Sequence, residues 1–150
     1  MHTPDVAAAR AGQMLNTARW AADRFSRMDA ATVRSVVKAM ADAGFAKAKY
    51  YAEWAVRETG YGDLDFVTPR IDHQSKTVDL PRPAGVVFAL TPVTNPVATV
   101  YFKVLLAVMT RNAIVVSPHP GAKEVCADAI RTLAVAAQSA GAPPGLIQVV

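Results

Sequence analysis

The stretch AGVVFALTPVTNPVATVYFK, residues 84–103, decides the fold. Its first seven residues form a continuous apolar run, rich in β-branched and aromatic side chains and bounded by Pro83 and Pro92. A run too short for a typical helix and apolar throughout reads as a strand buried on both faces of a parallel sheet. After it, Val97, Val100, Tyr101, Val104, Leu105 and Val108 recur at gaps of three and one, the stripe of an amphipathic helix. AIVVS (113–117) and GLIQVV (145–150) share the character of the first strand. Between them Cys126, Ala129, Ile130, Leu133 and Ala137 repeat the stripe, and Gly141-Ala-Pro-Pro closes it. Strand, helix, strand, helix, strand predicts a βαβαβ unit with a parallel sheet and right-handed crossovers.

Upstream, residues 5–26 are Ala-rich, with Leu15, Ala18, Ala22 and Phe25 on one helical face. Asp29 is placed to cap a second helix with Val33, Val36, Val37 and Met40 inward, and Gly44 to end it in a left-handed conformation. A third helix follows, its inner face Tyr50, Tyr51, Trp54 and Ala55, closed by Gly60. Residues 61–83 carry three prolines and no sustained period and read as a connector. The expected fold class is α/β: N-terminal helices, then a βαβαβ half of an open parallel Rossmann-like sheet, truncated. The expected division is a helical segment with connector at 1–83 and a partial nucleotide-binding unit at 84–150. A parallel strand such as GLIQVV needs neighbours and cover, so the chain reads as part of a larger domain.

Composition narrows the function. With 150 residues and 52% hydrophobic content, one core is well supplied. No apolar run approaches the roughly 18 to 20 residues that span a bilayer, and no charged-then-apolar leader opens the chain, so no membrane partner is expected and a cytoplasmic location is. A net charge of +4 and a pI near 9.5 come from scattered Lys and Arg rather than a basic tract, which argues against nucleic acid. The single Cys126 excludes an internal disulfide and a Cys-based metal cluster, and with the three histidines far apart no metal is expected.

Ligands of an open parallel sheet sit beyond the carboxyl ends of its strands, so TPVTNP (91–96) and SPHPGAK (117–123) are the informative loops. Neither carries the glycine-rich turn that usually cradles a pyrophosphate, and any dinucleotide is held differently. Asn95 precedes Pro96, the standard helix start, and reads first as an N-cap. A cap uses the amide oxygen and leaves the NH₂ free as a donor into the cleft, so the capping and oxyanion-stabilising readings coexist.

These residues also carry a family resemblance. PxGVVFALTPVTNPVATVYFK followed by TRNAIVVSPHPGAKEVC is similar to the N-terminal part of the CoA-acylating aldehyde dehydrogenases; RETGYG (57–62) and GAPPGLIQVV (141–150) resemble further stretches of it. The resemblance implies an enzyme that oxidises a small aldehyde with NAD or NADP and passes the acyl group to coenzyme A through a cysteine thioester. It implies that Asn95 donates to the oxyanion. Thr91, Pro92, Val93 and Thr94, with Ser117, Pro118, His119 and Pro120, would bind cofactor, the latter four lining an adenosine-side groove that NAD(P) and CoA use in turn. Many non-acylating relatives hold the ribose with a lysine and a glutamate here; Ser117 and Pro120 stand at those positions, which leaves NAD against NADP open. The parent enzyme would be a homo-oligomer.

The family's nucleophilic cysteine lies beyond the resembled segment, in a catalytic domain absent from these residues. Cys126, on the inward stripe of the second crossover helix, reads as core packing and not as a substitute. The isolated chain is therefore expected to be inactive. The alternative is a non-catalytic nucleotide-binding or oligomer-interaction module. His119 and its prolines could equally only shape a turn. Tyr50, Tyr51 and Trp54 read as helix packing. Lys103 and Arg111 read as solvated charges, with a lysine near a cleft able to attract CoA phosphates.

Overall fold

The computed structural model describes residues 4–60 and 83–150. Three helices come first: α1 (Pro4–Ser26), α2 (Ala30–Ala46) and α3 (Ala48–Thr59). Then β1 (Val86–Thr91), α4 (Pro96–Met109), β2 (Ala113–Pro118), a 3₁₀ turn (Pro120–Ala122), α5 (Lys123–Ser139) and β3 (Ile147–Val149) follow in order. All strands are parallel in the order β1-β2-β3, with Thr91 opposite Pro118 and Val116 opposite Val149. This is the expected α/β arrangement. The connector at 61–83 falls, apart from Pro83, outside the described residues.

One cluster of buried side chains runs from Ala18 and Phe25 of α1 through Val36, Met40 and Tyr51 to Val100, Ile114, Ile130, Leu133 and Ile147. Full burial of each large member stabilises the fold by roughly 1.5–3 kcal/mol. The central strand β2 is buried at Ala113 through Val116. The first strand departs from expectation: it is buried on one face only, with Phe88 64% and Leu90 63% exposed while Ala89 and Thr91 are buried. The reason is that, among the described residues, only the Ala89–Thr91 face of the strand's carboxyl half is covered. Successive strand residues face opposite ways, and the Thr91 face meets Cys126 of α5, the two side chains 3.8 Å apart.

The other face meets α1 near the amino ends of the strands. Gln148 Nε2 donates to the Met14 carbonyl at 3.0 Å, and Gly145, at φ +80°, comes so close to Thr17 that a Cβ would collide with its Cγ2. Arg111, expected to be solvated, instead donates through Nη1 to the carbonyls of Ser26 (2.9 Å) and Met28 (2.6 Å). These two carbonyls at the end of α1 lack helical partners, and the anchorage holds Arg111 at φ 62°, a conformation costly for a residue with a Cβ. Among the described residues, α1 lies across the amino side of the sheet and not its carboxyl edge.

Two further helical expectations are corrected. Gly44 does not terminate α2, which continues to Ala46; it is buried under the Tyr101 ring, where a Cβ would lie 3.3 Å from Cζ. Tyr50 is exposed rather than inward, and Tyr51 takes the core position, its hydroxyl donating to Asp128 Oδ2 (2.8 Å) and paired with Thr132 Oγ1 (2.7 Å). Burial, chiefly, pushes the Tyr51 phenol up to about 12. Asp29 caps α2 as expected, accepting from the Thr32 N–H at 2.7 Å, and that bond holds its carboxyl below the ordinary range. Gly60 ends α3 at φ 70°, as its freedom from a Cβ permits.

Candidate functional site

The parallel register brings the two informative loops together at the carboxyl edge. Thr91 and Pro118 are partners at the strand ends, and the His119 N–H donates to the Thr91 carbonyl at 3.2 Å. Val93 leans across, its Cγ2 within 3.4 Å of where a Gly121 Cβ would stand. Thr91, Val93, Ser117, Pro118, His119 and Pro120 thus form one continuous rim. Pro92, Thr94, His119 and Pro120 are exposed, Thr91 is buried beneath them, and Val93, Ser117 and Pro118 are half-buried.

Asn95 occupies the N-cap position of α4, directly above β1, and is exposed. The expected capping bond is absent. Its backbone sits at φ −142°, ψ 59°, and its side chain receives no first-turn N–H. The amide is held instead by Thr99, one turn along, whose hydroxyl lies 3.2 Å from Asn95 Oδ1 and 2.8 Å from the Asn95 carbonyl. The Thr94 hydroxyl adds a long donation to Oδ1 at 3.5 Å. Among the described residues, the hydrogen bonds to this side chain fall on its oxygen. Pro96, at the first helical position, removes one of the N–H groups of the helix start that would otherwise need a partner.

On the second loop, His119 caps the 3₁₀ turn: its Nδ1 accepts the Gly121 N–H at 3.0 Å. A nitrogen that accepts carries no proton, so in the neutral ring Nε2 bears the hydrogen. His119 therefore shapes the turn and still presents a donor at the rim. Behind the turn, α5 begins with its amides occupied: the Glu124 N–H donates to Glu58 Oε1 (2.9 Å) and the Val125 N–H to Glu58 Oε2 (2.8 Å). Lys103 is not a free solvated charge either; its Nζ donates to the Leu90 carbonyl at 2.6 Å, on β1 just before the rim.

Cys126 is fully buried beneath this edge, against Thr91. Burial first, and the Glu58 carboxylate to a smaller degree, push its thiol up to about 11, against the lowering bond to Thr91. A neutral, enclosed thiol is a poor nucleophile. Among the described residues no group of three His, Cys, Asp or Glu stands where it could hold a metal ion, and no helix is long and apolar enough to cross a membrane.

Sequence reasoning missed Thr99, Glu58 and the anchoring role of Lys103. The first has a local signal, because Asn95 and Thr99 are four apart at a helix start and share a face. The other two act across 66 and 13 residues and have none.

Comparison with known proteins accords with this geometry. The model of the aldehyde dehydrogenase family matches residues 1–150. The sulfoacetaldehyde dehydrogenase (acylating) of Cupriavidus necator is 33% identical over 170 residues, covering 97% of this chain and 34% of that protein. The succinate-semialdehyde dehydrogenase (acetylating) of Clostridium kluyveri is 29% identical over 160 residues, covering 92% of this chain and 35% of that one. The crystal structure of an acetylating aldehyde dehydrogenase from Geobacillus thermoglucosidasius superposes with a TM-score of 0.80 at 34% identity, over 95% of this chain and 36% of that one. The chain spans about a third of the length of these relatives.

Proposed function

This chain belongs to the aldehyde dehydrogenase family, and from that premise we propose that it is the cofactor-binding part of an enzyme that converts a small aldehyde and coenzyme A to an acyl-CoA. NAD or NADP is the hydride acceptor. The observation that carries this reading is the meeting of TPVTNP and SPHP at the open carboxyl edge, with the exposed Asn95 amide fixed by its oxygen. Two solved structures that share the fold, each 22% identical, are a propionaldehyde dehydrogenase of Rhodopseudomonas palustris with bound propionyl-CoA and an engineered glycolyl-CoA reductase with bound NADP⁺.

The residues present suit the adenosine side of such a nucleotide. With Nδ1 engaged by the Gly121 N–H, His119 has Nε2 left as a donor at the rim, and Pro118, Pro120 and Val93 offer apolar walls. They do not offer a pyrophosphate seat at the start of α5, where Glu58 already accepts two amides and Glu124 adds a second carboxylate. The phosphates therefore lie away from this helix, in keeping with the lack of a glycine-rich turn.

A thiolate from polypeptide outside these 150 residues attacks the aldehyde carbon, and the carbonyl oxygen becomes an oxyanion. Asn95 Nδ2 donates to that oxyanion. A donor aimed where charge develops is typically worth on the order of 10² to 10³ in rate. Bound NAD(P)⁺ would supply the hydride acceptor that takes the adduct to a thioester, and CoA the thiol that receives the acyl group and frees the cysteine. Cys126 takes no part, since it is enclosed and held neutral, and the 150 residues alone turn over no aldehyde. The uncovered Phe88 and Leu90 are where further polypeptide of the enzyme packs, and the enzyme is a cytoplasmic homo-oligomer.

The test is an assay of the complete polypeptide for aldehyde-dependent reduction of NAD⁺ or NADP⁺ with and without CoA. Acyl-CoA formation in step with nucleotide reduction is expected. Reduction that yields free acid and ignores CoA would place the chain in a non-acylating branch.

A further inference from the structure

Among the described residues, the Glu58 carboxylate bonds neither to its own helix nor to a cation. Its two oxygens accept the N–H groups of Glu124 and Val125, the second and third residues of α5, at 2.9 and 2.8 Å. Only Lys123 separates them from the 3₁₀ turn Pro120–Ala122, which His119 caps and against which α3 packs. Charge-assisted bonds of this length are about twice as strong as neutral ones, and the carboxylate also meets the positive end of the helix. The carboxylate comes from the last turn of α3, two residues before the left-handed Gly60. The loop Ser117–Pro120 is thus clamped at both ends: by the strand pairing of Ser117 and Pro118 on one side, and by a carboxylate from α3 on the other.

We propose that Glu58 is the positioning residue of the adenosine-side groove: it fixes where His119 and Pro120 stand, and thereby sets nucleotide affinity without touching the reacting atoms. This rests on the reading of that groove given above. It carries a second consequence. The carboxylate fills the one helix start nearest the loop, so an incoming phosphate is turned away from α5, and the nucleotide is held by its adenosine end there.

The complete polypeptide is compared as wild type, Glu58→Gln and Glu58→Ala, reading backbone amide exchange over residues 119–125 together with kcat and KM for NAD⁺, NADP⁺ and CoA. In Glu58→Ala, exchange at Glu124 and Val125 is expected to rise about ten-fold while β2 amides are unchanged. Nucleotide KM is expected to rise by a similar factor, with kcat within about two-fold of wild type. Glu58→Gln keeps one neutral acceptor and is expected to restore most of both losses. Should Glu58→Ala fail to fold, Glu58→Gln carries the test through faster exchange at one of the two amides and a KM raised about two-fold or more. Unchanged exchange and KM in a folded variant, or a fall in kcat at constant KM, would overturn the proposal. The groove reading fails separately: if His119→Ala leaves every nucleotide KM untouched, the nucleotide does not use this loop.

Discussion

The hydroxyl of Thr99 reaches both oxygens of Asn95, donating at 2.8 Å to the carbonyl and lying 3.2 Å from Oδ1. One side chain, a turn into α4, thereby does the orienting that a first-turn N–H was expected to do. A backbone cap would have tied Asn95 to the helix end. The Thr99 hydroxyl instead links the Asn95 carbonyl and Oδ1 to the first turn of α4.

Removing that hydroxyl should loosen the donor without removing it. In the complete enzyme Thr99→Val is expected to lower kcat about three- to ten-fold with little change in nucleotide KM, the worth of one neutral hydrogen bond. Thr99→Ser retains the hydroxyl and should stay near wild type. Steady-state kinetics on the pair checks this.

Tyr51 links α3 to α5 through Asp128 and Thr132. Tyr51→Phe keeps the ring, and with it the edge contacts to Tyr50 and Tyr101, and removes only the bonds. A loss of about 1–2 kcal/mol is expected, measured by urea denaturation. The m-value should not change, because the packing does not.

Asn112 is a buried staple that sequence patterning passed over. Its Oδ1 accepts the N–H groups of Ala84 (2.5 Å) and Gly85 (2.8 Å), and its Nδ2 donates to the Thr110 hydroxyl at 2.8 Å. It fixes the entry of β1 beside that of β2. Asn112→Ala should cost about 1–3 kcal/mol by leaving these amides without a protein partner, and amide exchange should localise the loosening to residues 84–87.

Cys126 should behave as core. Its thiol is raised by burial to about 11 from an ordinary 9.0. For a group whose folded value is raised, the stabilisation is fully present below the unfolded value and lost as pH climbs through the folded one. Thermal stability attributable to Cys126 should therefore decline between about pH 9 and 11, and Cys126→Ala should flatten that limb. Iodoacetamide at pH 8 should label the folded protein far more slowly than the protein in urea.

Local rules carried much of the fold. The spacing of Val100, Val104 and Val108 and of Cys126, Ile130 and Leu133 placed both crossover helices, because a buried stripe leaves a period that any reader of the chain can find. Asp29 was legible as a cap for the same reason: its partner is three residues away. What escaped depends on pairings the chain does not announce. Phe88 and Leu90 look like core, yet among the described residues nothing covers their face of β1, and no local pattern tells which face a sheet will have covered. Gly44 looks like a terminator until Tyr101, from another helix, settles on it. Arg111 looks solvated until the end of α1 arrives with two free carbonyls. At the candidate site the loops were legible and their fastenings were not: TPVTNP and SPHP stand out, whereas Glu58 acts on α5 from 66 residues upstream.

The central claim is that the Asn95 amide nitrogen serves as donor to an oxyanion at the carboxyl edge. The most direct measurement is single-turnover reduction of NAD(P)⁺ by the complete enzyme carrying Asn95→Asp, which preserves the side-chain oxygen that Thr99 engages and replaces the NH₂ with a repelling acceptor. A fall of about 10² to 10³ in the chemical step, with nucleotide binding retained, is the predicted result. A rate within a few-fold of wild type would contradict it.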